Sequence, residues 1–278
     1  MAHHGTKSSK QMWEAMHAGT VAPPYPQPQR FRGNFELADR FRRSMPAGRR
    51  RLLEMGCGGS KWLPWFAREL GYDVEGVDYS PVGCEKARSG LAAAGVSGVV
   101  HCKDFLTLGP EFDRRYDIVA SFGVIEHFED PVSVLRLFAR CLAKGGLVLT
   151  FVPNMAGLYG TLIKRLDRPL YDTHVIFDLE ELSAFHERAG LRIVHATYSG
   201  WADFQSTPVD RLGTSTGLVL KNLIYAWNRG LLTAYRAWPD FRPQSAYLCD
   251  SMVVIAADPG APPSGRGVSI GSSMRDRS

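Results

Sequence analysis

Between Arg50 and about residue 198 the sequence alternates short β-rich apolar runs with stretches of helical pattern, and this rhythm restricts the fold more than any other feature. The candidate strands are Arg50 to Met55, Asp73 to Asp78, Gly98 to Cys102, Tyr116 to Phe122, Leu147 to Val152 and Leu191 to Thr197. Helical stretches begin near Ser60, Pro81, Pro131 and Asp178. A proline at the first helical position loses no intrahelical hydrogen bond, and acids in the first turn meet the positive end of the helix dipole. Strands separated by helices at this spacing imply a doubly wound α/β sheet of mostly parallel strands. Residues 199–247 interrupt the rhythm, and Leu248 to Ala257 resume it as a last strand.

Four segments follow. Residues 1–48 form an arm, with Pro23, Pro24, Pro26 and Pro28 ahead of a cap helix from Asn34 to about Arg43. Residues 49–198 with 248–257 form the α/β core, 199–247 a helical insert, and 258–278 a Gly, Pro and Ser-rich tail expected to be disordered. The net charge of +5 is uneven: residues 1–51 hold ten basic side chains against three acids, a net +7, which leaves −2 for the rest. A basic balance confined to one end does not describe a nucleic-acid-binding core. No apolar run is long enough for a transmembrane helix, and the N-terminus is polar where a signal peptide needs an apolar stretch. The five cysteines (Cys57, Cys84, Cys102, Cys141, Cys249) have no metal-ligand spacing, which points to reduced thiols and a cytoplasmic protein.

The run Leu52-Leu53-Glu54-Met55-Gly56-Cys57-Gly58-Gly59-Ser60 is an apolar strand ending in a glycine turn that opens a helix. Backbone amides can approach a ligand closely at such a turn. Asp78, at the end of the next strand, lies 20 residues beyond Gly58, the spacing at which a carboxylate meets ribose hydroxyls. A nucleoside-bearing cofactor follows from the pair. The third glycine of a dinucleotide fingerprint is replaced by Lys61, which disfavours a pyrophosphate, while Glu54 suits a ligand with an amino group.

These residues resemble the class I S-adenosylmethionine-dependent methyltransferases, of the small-molecule type that acts in quinone biosynthesis. The resemblance covers residues 50–197 and several ordered motifs. Glu54, Gly56, Cys57 and Gly58 match the first motif, and Asp78 with Tyr79 the ribose-binding loop. Asp104 with Phe105 matches the adenine loop, Tyr116 to Phe122 with Ser121 and Phe122 the fourth motif, and Leu142 to Leu149 the turn into the fifth strand. Ser60 stands where members often carry glycine, and its hydroxyl can cap the next helix. The resemblance implies a Rossmann-like, seven-stranded sheet of order 3-2-1-4-5-7-6, S-adenosylmethionine as cofactor, and transfer of its methyl group to a small-molecule acceptor.

The implied switch point lies between the first and fourth strands. It places Glu126 and His127 near the methyl group, with Pro153 and Asn154 facing the same crevice. Methyl transfer from a sulfonium needs nucleophile and methyl held in line. A hydroxyl or amine acceptor can also need a base, and histidine is the side chain most easily poised near neutral pH. His127 and His174 are the candidates, His3 and His4 lying in the N-terminal tail, His101 and His195 in strands, and His186 in a helix. The Glu126-His127 pair can equally order the loop. Related quinone O-methyltransferases pair a similar Glu-His with an acid three residues earlier at a divalent metal; that position is Gly123 here, so no metal is expected.

Gly217 to Trp238 reads as one long helix or two short ones. Lys221, Asn222, Asn228, Arg229 and Arg236 form a narrow polar stripe beside an apolar face of Leu220, Leu223, Ile224, Trp227, Leu231 and Tyr235. That face can pack on the core, cover an apolar or aromatic acceptor as a lid, or meet a homodimer partner or membrane surface. Met12-Trp13-Glu14, Tyr25 and Phe31 are candidates to fold over the cofactor. Oxygen is the preferred acceptor atom, with nitrogen and carbon open. The Asn-Pro-Pro-aromatic tetrad of base-amine methylases is absent after the fourth strand, where Ser121-Phe122-Gly123-Val124 stands. An NAD-dependent oxidoreductase and a catalytically silent scaffold are the competing classes.

Overall fold

The computed structural model describes residues 5–19, 25–238 and 241–260. Seven strands, β1 (Arg51–Met55), β2 (Asp73–Asp78), β3 (Gly98–Cys102), β4 (Tyr116–Phe122), β5 (Leu142–Pro153), β6 (Arg192–Trp201) and β7 (Cys249–Ala257), form one sheet. Its order is β3-β2-β1-β4-β5-β7-β6, as the resemblance implied. Strands β1 to β5 are mutually parallel, and β7 runs antiparallel between β5 and β6. The helices are α1 (Lys10–Gly19), α2 (Arg32–Ser44), α3 (Trp62–Leu70), α4 (Pro81–Ala93), α5 (Pro131–Cys141), α6 (Leu158–Leu166), α7 (Arg168–Asp172), α8 (Leu179–Arg188) and α9 (Thr214–Ala237).

Strands covered on both faces need apolar side chains at consecutive positions, because successive residues point to opposite sides. In β1 Leu53 packs into a core with Val134, Leu135 and Phe138 of α5 and Leu182 of α8, while Leu52 joins Phe41 of α2 and Trp65 and Phe66 of α3 on the other face. Val119 and Ile118 of β4 divide in the same way. Each fully buried side chain of this kind stabilises the fold by about 1.5–3 kcal/mol. Helix starts follow the capping chemistry: Ser80 accepts from Gly83 N ahead of Pro81, Asp130 from Ser133 N ahead of Pro131, and Asp178 with Glu181 forms a reciprocal capping box.

Helices α1, α6 and α7 were not foreseen, β5 begins at Leu142 and β6 runs on to Trp201. Within the insert, the stretch read as one or two helices is one continuous helix, α9, seated on α2 by buried Asn228, Leu231, Leu232 and Tyr235. The expected division of its surface is corrected: Asn228, assigned to the polar stripe, is buried and its Oδ1 accepts from Arg32 Nε at 2.9 Å, whereas Leu223 and Trp227 of the apolar face are 60% and 47% exposed. A buried guanidinium demands polar partners, and Arg32 also meets Glu36 and Asp203 at 3.4 and 3.3 Å. Of the tail, Asp258 accepts from Gly145 N, and residues 261–278 lie outside the described residues, as do Met1 to His4, Pro23 and Pro24. Among the described residues no helix is long and apolar enough to cross a membrane.

Candidate active site

Strand β1 ends in a turn whose glycines are required by close approach. Gly56 has φ +70°, and a Cβ there would stand 2.7 Å from Val124; a Cβ on Gly58 would meet Asp78 Oδ2 at 2.7 Å. Gly58 N and Ser80 N donate to the two oxygens of Asp78 at 2.8 and 2.7 Å, fixing that carboxylate at the tip of β2. Burial pushes the Asp78 carboxyl above its ordinary range, against the pull of these two amides. Ser60 Oγ accepts from Trp62 N and Leu63 N, so it caps α3 as expected.

Over this turn lies a cavity of about 370 Å³. Gly56, Gly58, Asp78, Tyr79, Asp104, Phe105 and Phe122 line it together, although β1, β2, β3 and β4 each deliver only part of the set. Asp104 Oδ1 accepts from Leu106 N, capping the single turn of 3-10 helix that carries Phe105. Three expected residues do not reach the cavity: Cys57 packs inward from the turn, and Glu54 and Ser121 are buried within β1 and β4. Cys57 is buried, its Sγ filling the space that Gly76 leaves without a side chain, and burial pushes its thiol up. Ser121 is buried with an unpaired hydroxyl. Glu54 is buried with Oε2 unpaired, and burial above all pushes its carboxyl up to about 8. A buried acid with an unpaired oxygen two residues before Gly56, a carboxylate fixed at a strand tip and a side-chain-free turn fit a nucleoside cofactor with an amino group.

The N-terminal arm supplies the rest of the wall. Thr6 bridges antiparallel to Phe128, Lys7 N donates to His127 O at 2.8 Å and Glu129 N to Gly5 O at 2.8 Å. This pairing lays Thr6, Ser8, Lys10, Trp13 and His17 along the cavity. Trp13 was expected there; Tyr25 instead donates to Glu69 of α3, Phe31 stands at the start of α2, and neither it nor Met12 lines the cavity. His17 carries no motif in the sequence, so the reading of the histidines missed it; only the arm's path brings it beside Gly58 and Asp78.

A second cavity of about 270 Å³ shares part of its wall with the first. Trp13, Phe122, Gly123 and His127 line both. Its other walls are Pro153 at the end of β5, Met155, Tyr159 and Ile163 of the segment through α6, Leu170, and Glu126 with His174. Asn154 does not face it: buried, it donates to the carbonyls of Ala246 and Cys249 and ties that loop to β5. The insert lines neither cavity, so its expected role as a lid finds no contact here and the arm occupies that place.

Glu126, His127 and His174 come together although 46 residues separate the last two. Val175 N donates to Glu126 O at 2.6 Å and His127 Nδ1 to Thr173 O at 2.8 Å, stitching the two loops. His174 Nδ1 donates to Leu170 O at 2.8 Å, and the imidazole centroids are 4.6 Å apart. A carbonyl only accepts, so each ring carries its proton on Nδ1 and leaves Nε2 unprotonated. Burial, then the neighbouring His174, pushes His127 down to about 4; burial also lowers His174. Burial pushes Glu126 up to about 8, and both its oxygens lack a partner.

A methyltransferase-domain family model matches residues 27–196. The ubiquinone biosynthesis O-methyltransferase of Bordetella avium (strain 197N) is 27% identical over 185 residues, 64% of this chain and 74% of that protein. The protein of the same description from Caulobacter sp. (strain K31) is 35% identical over 104 residues, 37% of this chain and 41% of that one. Among solved structures, the geranyl diphosphate C-methyltransferase of Streptomyces coelicolor A3(2), in complex with Mg²⁺, geranyl diphosphate and S-adenosyl-L-homocysteine, superposes with a TM-score of 0.54. It is 13% identical and covers 80% of this chain and 78% of its own, a likeness of fold.

Proposed function

This chain belongs to the methyltransferase-domain family and is an S-adenosylmethionine-dependent methyltransferase, and from that premise we propose that it methylates a hydroxyl of an apolar or aromatic small molecule. The observation that carries the reading is the wall of Trp13, Phe122, Gly123 and His127 that the two cavities share. One cavity has the carboxylates and glycine turn suited to the cofactor, the other has an apolar wall with one polar corner. Two ubiquinone biosynthesis O-methyltransferases among the relatives support oxygen as the acceptor atom.

When bound, S-adenosylmethionine supplies an electrophilic methyl on a sulfonium that an in-line nucleophile can take without a covalent enzyme intermediate. Asp78 would hold the ribose hydroxyls, Tyr79, Asp104 and Phe105 the adenine, and the turn of Gly56 and Gly58 the amino group, with Glu54, buried beneath that turn, attracting it by charge rather than by contact. Trp13, Met155, Tyr159, Ile163 and Leu170 orient the acceptor by apolar contact and exclude water. Glu126, His127 and His174 receive its hydroxyl; they offer acceptor atoms and an unpaired carboxyl where that hydroxyl must lose a proton. The five free thiols support a cytoplasmic setting.

The reading is tested by incubating the full chain with methyl-labelled S-adenosylmethionine and a panel of phenols, catechols and aromatic amines of matched shape, followed by mass spectrometry. Label on phenolic oxygen is expected. Transfer to amines alone, or S-adenosylmethionine binding without transfer to any hydroxyl, would overturn it.

A further inference from the structure

The side chains of Glu126, His127 and His174 carry more than an acceptor-binding corner needs. One nitrogen from each imidazole and one oxygen of Glu126 lie within 4.8 Å of one another, all three residues are buried, and all three line the second cavity. His127 Nε2 is 4.0 Å from Glu126 Oε1. Neither oxygen of Glu126 has a hydrogen-bond partner, although the residue is 1% exposed. An unpaired buried carboxyl is costly, and at 4.0 Å His127 Nε2 stands too far away to relieve it with a hydrogen bond.

We propose that Glu126, His127 and His174 bind a divalent transition-metal cation at the wall of the acceptor cavity. Metal-bound histidines generally donate their other ring N–H to a carbonyl or carboxylate, which fixes the tautomer and turns the free nitrogen to the metal. Both rings are already held this way, His127 on Thr173 O and His174 on Leu170 O, each at 2.8 Å. Donors about 2.1 Å from a tetrahedral Zn²⁺ stand about 3.4 Å apart, so a cation draws the trio in by about 1 Å. Two imidazoles and one carboxylate suit Zn²⁺, Co²⁺, Fe²⁺ or Mn²⁺, and they suit Mg²⁺, which demands oxygen ligands, poorly. Three protein ligands leave positions open toward the cavity.

Gly123 offers no side chain as a third ligand at its position, and a side chain 47 residues after His127 supplies it instead. The cation's part in catalysis rests on the O-methyltransferase reading, whereas its binding does not. A hydroxyl oxygen placed against it loses its proton to water at lower pH. The O–CH3 bond then forms as the S–CH3 bond breaks, and the electron pair of the latter stays on sulfur.

The test uses the full chain after dialysis against a chelator. Co²⁺ titration followed by visible ligand-field absorption, with calorimetry for Zn²⁺ and Mg²⁺, should give one Co²⁺ per chain and Mg²⁺ binding weaker by about 100-fold or more. Glu126→Gln and His174→Ala should each weaken Co²⁺ by at least about tenfold with an unchanged unfolding midpoint of the chelated protein. Absence of a ligand-field band, or Co²⁺ affinity in both variants equal to that of the wild type, would overturn the site. Methyl transfer at full rate in the chelated protein, with no Co²⁺ site, would overturn the cation and leave the O-methyltransferase standing. Co²⁺ bound as expected without transfer to any hydroxyl would do the reverse.

Discussion

Trp13 stands edge-on to His127, ring centroids 5.0 Å apart, so a residue of the N-terminal arm forms part of the wall of both cavities. Its indole N–H donates to Ser8 Oγ at 3.0 Å, and the arm itself is pinned by Lys7 N to His127 O. Removing the ring opens the shared wall to water. Trp13→Ala should raise the acceptor KM by about tenfold and lower kcat by a similar factor, since burying such a ring contributes about 2 kcal/mol or more. Steady-state kinetics with a methylated phenol as product checks this.

Glu54 gives the cofactor step a pH dependence. Its carboxyl is pushed up to about 8 by burial, so it is neutral below that pH and must ionise to attract an ammonium across the turn. Affinity for S-adenosylmethionine should therefore fall as pH drops below 8, by up to about tenfold per unit. In Glu54→Gln the profile should be flat and the affinity low throughout. Calorimetry in buffers of different ionisation enthalpy should also detect proton release by the wild type alone.

The glycine turn tolerates no side chain. In Gly58→Ala the new methyl would press on Asp78 Oδ2 at 2.7 Å and on His17 Nε2 at 2.6 Å. Asp78 must move, and cofactor affinity should fall by about 10- to 100-fold while the unfolding midpoint changes little. Asp78→Asn should lose a similar factor, as one or two charge-assisted hydrogen bonds are worth about 1.5–3 kcal/mol each.

His186 gives stability a separate pH dependence. Buried between Thr150 Oγ1 and Leu182 O, it is pushed down to about 4 by burial. The unfolded chain binds its proton near pH 6.5 and the folded chain only near 4, so stability is full above 6.5 and declines as pH falls toward 4. Urea unfolding should show a loss on the order of 3 kcal/mol from this group, absent in His186→Gln.

Buried charge joins the apolar side chains of Leu231, Leu232 and Tyr235 in holding the insert. Arg32, fully buried among Glu36, Asp203, Asn228 and Tyr235, joins α2 to α9. Arg32→Met strips Asp203 of its ion pair, leaves Glu36 with Arg40 as its cation, and should cost about 3–5 kcal/mol, whereas half-exposed Trp227→Ala should cost about 1 kcal/mol. Neither should alter cofactor affinity of the folded protein, because α9 lines neither cavity.

The sheet was legible because its signals are local: consecutive apolar residues in β1 and β4, Pro81 and Pro131 at helix starts, the acidic cap of α8. Asp78 was legible for the same reason, since a fixed 20-residue spacing carries it from one strand tip to the next. Which side of a turn a side chain takes is not local. Cys57 and Ser121 match motif positions yet point into the core, and Asn228 reads as surface yet meets a buried cation 196 residues away.

By itself, the sequence determined a doubly wound α/β sheet, its strand order through family resemblance, and the positions of the glycine turn and its acid. Only the tertiary structure decided that the arm, and not the insert, walls the crevice, and that His174 comes to Glu126 and His127. Those outcomes depend on two long-range backbone pairings, Lys7 with His127 and Val175 with Glu126, whose N–H and C=O groups are the same in every residue and leave no mark in composition or periodicity.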